Sequence, residues 1–282
     1  MNILSIQSWV SYGHVGNASA VFPLQRMGIE VWAVNTVQFS NHTGYGKWRG
    51  QVYTGDSVRE LIDGIEERGA LARCDGVLSG YMGDAGIGEA ILDAVARVKA
   101  ARPGAVYCCD PVIGDVGRGV FVRPGIPEFM RERAVPAADV ITPNQFELEY
   151  LAGVTIKNVA DIRRALDVLH GMGPKTVMVT SVETDETPQD SIDVVVSSGG
   201  TLLRVRMPRL PINVSGAGDA IAALLFGKLL QSGSAETALV HAASATFGVL
   251  KRTAEAGSRE ILTVEAQDEF VRPSTLFAAE KL

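Results

Sequence analysis

Apolar positions along the chain fall into short runs of strand length that alternate with stretches of helical period. Runs at residues 3–7, 31–37, 76–79, 105–110, 139–142 and 176–180 predict strands. Between them, residues 18–27, 58–68, 90–100, 128–133 and 162–169 place apolar side chains three and four apart and predict helices. This alternation predicts an α/β fold built from βαβ units: a mostly parallel central sheet with helices on both faces. Two places break the rhythm and predict hairpins. One is 38–53, a small flap; the other is 192–206, where Ser198-Gly199-Gly200-Thr201 supplies a tight turn. The polar stretch 183–190 reads as a surface loop, and the Ala/Leu-rich stretch 215–250 as two consecutive buried helices. No repeat or linker divides the chain, so one domain over 1–282 is expected. In an open parallel sheet, ligands bind outside the carboxyl ends of the strands. That directs attention to Ser8, Gly80, Asp110 and Asn144, each read as ending or following a strand.

Composition narrows the setting. With 282 residues, 46% of them hydrophobic, the chain is long enough to bury a sizeable core. A net charge of −6 without a Lys/Arg cluster gives nucleic acid no footprint. The opening Asn2-Ile3-Leu4-Ser5-Ile6 reads as a strand rather than a leader, and no apolar run approaches the ~20 residues of a membrane helix. A cytoplasmic protein with no membrane partner is the expectation. The three cysteines, Cys74, Cys108 and Cys109, resemble neither a disulfide framework nor a zinc site and read as reduced core residues. A nucleophilic thiol at 108 or 109 is the alternative.

Val214-Ser215-Gly216-Ala217-Gly218-Asp219, followed at once by the apolar helical run 220–225, is the most specific signal for chemistry. Glycines before a helix leave N–H groups free to converge, and the helix dipole adds positive potential, which together make an anion hole. An acid at that point suits a proton acceptor for a hydroxyl attacking a phosphoryl group. Its structural alternative is a first-turn Asp favoured by the dipole. The Gly-Lys-Ser/Thr ending of a Walker A loop is absent, and 80–88 lacks the Rossmann glycine spacing. Asn144-Gln145-Phe146-Glu147 reads locally as a capping box.

Gly-Ala-Gly-Asp at 216–219 resembles the active-site motif of the ribokinase-like kinases, and Asn144 with Glu147 is similar to that superfamily's Asn-x-x-Glu motif. Tyr12-Gly13-His14-Val15-Gly16-Asn17 and the eleven residues 35–45 resemble segments of pyridoxal kinases, which phosphorylate the 5′-hydroxyl of vitamin B6. Residues 80–84, 109–112 and 141–147 extend the likeness over most of the chain. The resemblance implies a ribokinase-like fold, ATP as co-substrate, Mg²⁺, pyridoxal as substrate and a homodimer. It implies that Ser8 bonds the pyridine ring while Val15, Thr43 and Tyr81 line its pocket, with Gly44 beside Thr43. It further implies that Asp110, Thr142, Asn144, Glu147, Thr180 and Ser181 hold the phosphates and the ion. Asp110 and Glu147 would serve the metal through water, Gly216, Ala217 and Gly218 the transferring phosphoryl group, and Asp219 the hydroxyl proton. Without the resemblance, Ser8 could simply end a strand, Val15 could be core and Tyr81 a half-buried anchor.

Two departures stand out. Trp9 occupies a place where the family usually has His, so a bulky ring is expected beside the pyridine site. Residues 207–211 match only loosely and leave the adenine contacts unassigned. A hydroxymethylpyrimidine kinase is the nearest alternative, because both substrates are flat hydroxymethyl heterocycles. A sugar kinase is expected to place an Asp near the end of strand one, where this chain has Gln7-Ser8-Trp9. A non-catalytic pyridoxal phosphate carrier is disfavoured, since Asp219 would repel the bound phosphate.

Overall fold

The structure is a computed structural model describing residues 1–282. Strand β1 (Asn2–Tyr12) leads through helix α1 (Asn17–Arg26) to β2 (Glu30–Asn41). One 3₁₀ turn at Thr43–Tyr45 and the short β3 (Gly50–Val52) follow. Then come α2 (Gly55–Glu67), β4 (Gly76–Ser79), α3 (Ala85–Ala101) and β5 (Val106–Cys109). A two-stranded ribbon, β6 (Gly114–Asp115) and β7 (Gly119–Val120), precedes α4 (Ile126–Phe129). A π turn at Met130–Ala134 continues α4 into α5 (Val135–Ala137), and β8 (Val140–Ile141) follows. The next elements are α6 (Gln145–Ala152), α7 (Val159–Met172), β9 (Thr176–Val182), β10 (Ser191–Ser198) and β11 (Thr201–Pro208). Helices α8 (Ala217–Ser232) and α9 (Ala235–Glu255) and a short β12 (Glu280–Lys281) complete the chain.

The main sheet has the order β12-β11-β10-β9-β8-β5-β4-β1-β2-β3. Strands β2, β1, β4, β5, β8 and β9 run parallel, while β10, β11, β12 and β3 add antiparallel edges. Strand order reverses between β1 and β4, which is where an open α/β sheet opens a crevice for ligands. Alternation along each strand divides the core between two faces. Leu4, Ile6, Val177 and Val179 pack with α2, α3, α6 and α7. Ile3 and Met178 pack with α1, α8 and α9 on the other side. The predicted α/β sandwich of helices around a mostly parallel sheet is what forms.

The differences from expectation are local. β1 does not end at Gln7: beyond a register shift it stays paired with β2 through Trp9↔Gln38, Val10↔Phe39 and Tyr12↔Asn41. Ser8 therefore lies inside a strand instead of after one. The predicted flap starts within β2, where Val37, Gln38 and Phe39 pair with Val52, Gln51 and Gly50. The β6–β7 ribbon was not foreseen, and of α6 only the capping box at its start was read, because eight residues and two-residue strands carry too little periodicity. All three cysteines are buried, and burial pushes the Cys109 thiol up to about 12, which removes the nucleophile alternative.

Candidate active site

A cavity of about 550 Å³ lies along the carboxyl ends of the parallel strands, under the flap and over the start of α8. At one end, Ser8 and Val10 from β1 and Val37 and Phe39 from β2 face Tyr81, just beyond β4. Val15 and Thr43 complete this end. Asp110 and Thr142 stand in the middle, immediately after β5 and β8, with Asn144, Glu147, Thr180 and Ser181 beside them. The other end is apolar, formed by Ile192, Val194, Met207, Val214, Ile221 and Leu250. Gly216, Ala217, Gly218 and Asp219 form the wall between the two ends. The structure thus gathers every residue that the resemblance assigned to the site except Gly44, while Gly80, noted only as following a strand, does not line the cavity. Gly44 sits exposed at the flap tip, donating its N–H to His42 Nδ1 at 3.2 Å.

Helix α8 starts without a side-chain cap, so the N–H groups of its first turn remain open toward the cavity. Its N-cap, Gly216, has φ +89, and a Cβ there would stand 1.8 Å from the His14 carbonyl oxygen. Only glycine permits that approach. Gly16 is held as tightly: a Cβ would meet the Ser8 carbonyl at 2.3 Å. This contact ties the β1–α1 turn to Ser8 on the cavity wall. Asp219, in the first turn of α8, has its carboxyl raised from 3.8 to about 6 by burial, with the Gly16 N–H pulling it back down. Such a group is ionised at neutral pH yet close enough to it to accept a proton.

Asp110 and Glu147 are 6% and 4% exposed. Burial first, then repulsion from Glu147 and Asp219, drives the Asp110 carboxyl well above its usual range, against the Thr142 hydroxyl that donates to it at 3.0 Å. Burial raises Glu147 to about 7, opposed by backbone donors. Its Oε1 accepts from Ile113 N at 2.8 Å and its Oε2 from Asn144 N at 2.9 Å, while Asn144 Oδ1 caps Glu147 N at 2.9 Å. The capping box is therefore real, and it also braces the turn after Asp110. With both oxygens engaged, Glu147 suits a metal reached through water, whereas Asp110 Oδ2 makes no bond. Hard oxygens, mutual repulsion and room for water fit a Mg²⁺–phosphate unit. Ser181 has φ +55, unique among non-glycine residues here, and it turns the end of β9 toward the cavity beside Thr180.

One expectation is corrected. Trp9 does not line the cavity; Ser8 and Val10, on either side of it, do. Strand alternation turns the indole away, and its backbone bridges to Gly16. Sequence reading also passed over Arg118, the one Lys or Arg side chain on the cavity wall, carried by the β6–β7 ribbon over the Phe121 ring at 5.1 Å. The glycine-rich Gly114-Asp115-Val116-Gly117-Arg118-Gly119, a few residues after Asp110, was the available signal. The apolar end went unread because its residues come from β10, β11, α8 and α9.

The phosphomethylpyrimidine kinase family matches residues 72–264. A protein named Pyridoxal kinase PdxY from Granulibacter bethesdensis is 62% identical over 99% of each chain. Its namesake from Deinococcus radiodurans is 54% identical, covering 100% of this chain and 96% of that one. The pyridoxal kinase of Leishmania donovani in complex with ADP and ginkgotoxin superposes with a TM-score of 0.92 at 32% identity. That match covers 100% of this chain and 99% of the other. No helix in the structure is long and apolar enough to cross a membrane. By full-length identity, and by a fold whose cavity assembles the same motifs, the chain belongs to the pyridoxal kinase family.

Proposed function

We propose that the protein transfers the γ-phosphoryl group of ATP to the 5′-hydroxyl of pyridoxal, making pyridoxal 5′-phosphate for vitamin B6 salvage. The observation that carries this is Asp219: a proton acceptor at about 6, at the uncapped N-terminus of α8, between a pocket for a flat ring and an apolar pocket for a nucleobase.

Ser8 bonds the pyridine ring, and Val15, Thr43 and Tyr81 form its walls. The hydroxymethyl group lies against Asp219, which takes its proton as the oxygen attacks in line. The N–H groups of Gly216, Ala217 and Gly218 stabilise the equatorial phosphoryl oxygens without reorganising. Thr142, Asn144, Thr180 and Ser181 position the other phosphates. Asp110 and Glu147 would hold Mg²⁺ through water, and the ion would offset the negative charge of the phosphates. Ile192, Val194, Met207 and Leu250 receive the nucleobase. The flap at 38–53 excludes water that would compete as acceptor. The resemblance to pyridoxal kinases implies a cytoplasmic homodimer, and sedimentation of the purified protein tests the dimer.

The deciding assay is ATP-dependent phosphorylation of pyridoxal, pyridoxine, pyridoxamine and hydroxymethylpyrimidine. Turnover of pyridoxal above the pyrimidine supports the reading. Preference for the pyrimidine, in line with the name of the matched family, overturns it.

A further inference from the structure

We propose that Glu260 is a positioning residue that latches the flap shut and couples its closure to the loop carrying Asp219. The inference rests on the kinase reading above and extends it to a residue outside the cavity wall. Glu260 lies beyond α9, and its backbone bridges to Ser215, the residue that enters the anion loop. Its carboxylate serves two other segments. Oε1 accepts the Tyr45 hydroxyl from the flap tip at 2.5 Å, and Oε2 accepts His14 N–H from the β1–α1 turn at 3.2 Å. The neighbouring Arg259 guanidinium stands 4.8 Å from the centre of the Tyr45 ring. A second tie from flap to anion loop joins His42 Nδ1 to Ser215 Oγ at 3.0 Å.

The coupling follows from how few residues separate these contacts from the chemistry. Two residues after His14, the Gly16 N–H turns to the Asp219 carboxylate. The His14 carbonyl lies against Gly216, and Ser19 Oγ donates to Gly216 O at 2.8 Å. Thr43, two residues before Tyr45, lines the substrate end of the cavity. One carboxylate therefore fixes the height of the flap over the substrate and the position of the turn that orients the base. A phenol bonded to a carboxylate is charge-assisted and stronger than a neutral pair, so its loss shifts the open-to-closed balance measurably. Tyr45 itself is exposed at the flap tip.

The test uses Tyr45→Phe, which deletes one hydroxyl from an exposed tip and spares the fold, together with Glu260→Ala and the conservative Glu260→Gln. Ligand-free hydrogen exchange of residues 38–53 is measured alongside the KM for pyridoxal and the ratio of ATP hydrolysed to pyridoxal phosphorylated. The expectation is roughly tenfold faster exchange confined to the flap in Tyr45→Phe and Glu260→Ala. A KM raised by a similar factor and a higher hydrolysis-to-transfer ratio accompany it, with Glu260→Gln recovering part of each. A structural role alone does not move that ratio. Wild-type flap exchange and an unchanged ratio in Tyr45→Phe overturn the latch, as does a Glu260→Ala effect spread over the whole chain. If the wild type fails to phosphorylate pyridoxal, the kinase reading falls, while flap exchange still decides the latch.

Discussion

Replacing Asp219 by Asn keeps the shape of the side chain and removes its ability to accept a proton. Loss of a single general base costs ~10²–10⁴ in rate, so kcat should fall by that factor while ATP binding, no longer opposed by a nearby negative charge, is retained. The structure adds a pH signature. The Asp219 carboxyl is raised to about 6, so kcat/KM of the wild type should decline as pH falls through about 6, and that limb should vanish in the variant. It adds a stability signature of opposite sign. An acid whose folded pKa is raised binds its proton more tightly folded than unfolded, so its ionised form opposes folding above about pH 6. The gap between 3.8 and about 6, at about 1.36 kcal/mol per pH unit, sets that cost at about 3 kcal/mol as an upper bound, since the carboxylate borders the cavity. Asp219→Asn should therefore melt several degrees higher than the wild type at pH 8, and the difference should close as pH drops from about 6 toward 3.8. Steady-state kinetics from about pH 5 to 9 and calorimetry from about pH 8 down to about 3.8 measure all three. A variant within threefold of wild-type activity, with the acid limb intact, refutes Asp219 as the base.

Gly216→Ala forces a Cβ to within 1.8 Å of the His14 carbonyl at a left-handed φ, so it should displace the anion loop and cut kcat more than 100-fold; circular dichroism checks that the fold persists. Arg118→Ala removes the one Lys or Arg on a wall otherwise rich in carboxylates, and about a 10- to 100-fold loss in kcat/KM for ATP is expected, read by varying ATP at saturating pyridoxal. Trp9→His restores the residue usual in the family at a side chain facing away from the cavity. The ranking of pyridoxal, pyridoxine and pyridoxamine should stay the same; a reordered ranking contradicts the orientation of β1.

The motif residues were legible because each sits where its local sequence makes it chemically informative. Gly216 and Gly218 sit at the start of an apolar helix, Asn144 and Glu147 form a box that local geometry alone closes, and Asp110 directly follows a strand. The central strands and most helices could be read for a similar reason, since burial on one face or both leaves its period in the chain. The ends of elements could not. β1 continues to Tyr12 because β2 pairs with it there, and pairing is a property of two segments. Trp9 faces away for the same reason.

What the sequence by itself determined is the α/β alternation, the anion loop with its acid, and the family. What only the tertiary structure decided is which distant residues meet: Met207 with Leu250 and Arg118 with the acids on one cavity wall, and Tyr45 with Glu260 across 215 positions. Periodicity and turn chemistry act within about ten residues and are written locally. The cavity and its latch arise where strand ends and helix starts meet in space, at separations that no local pattern records.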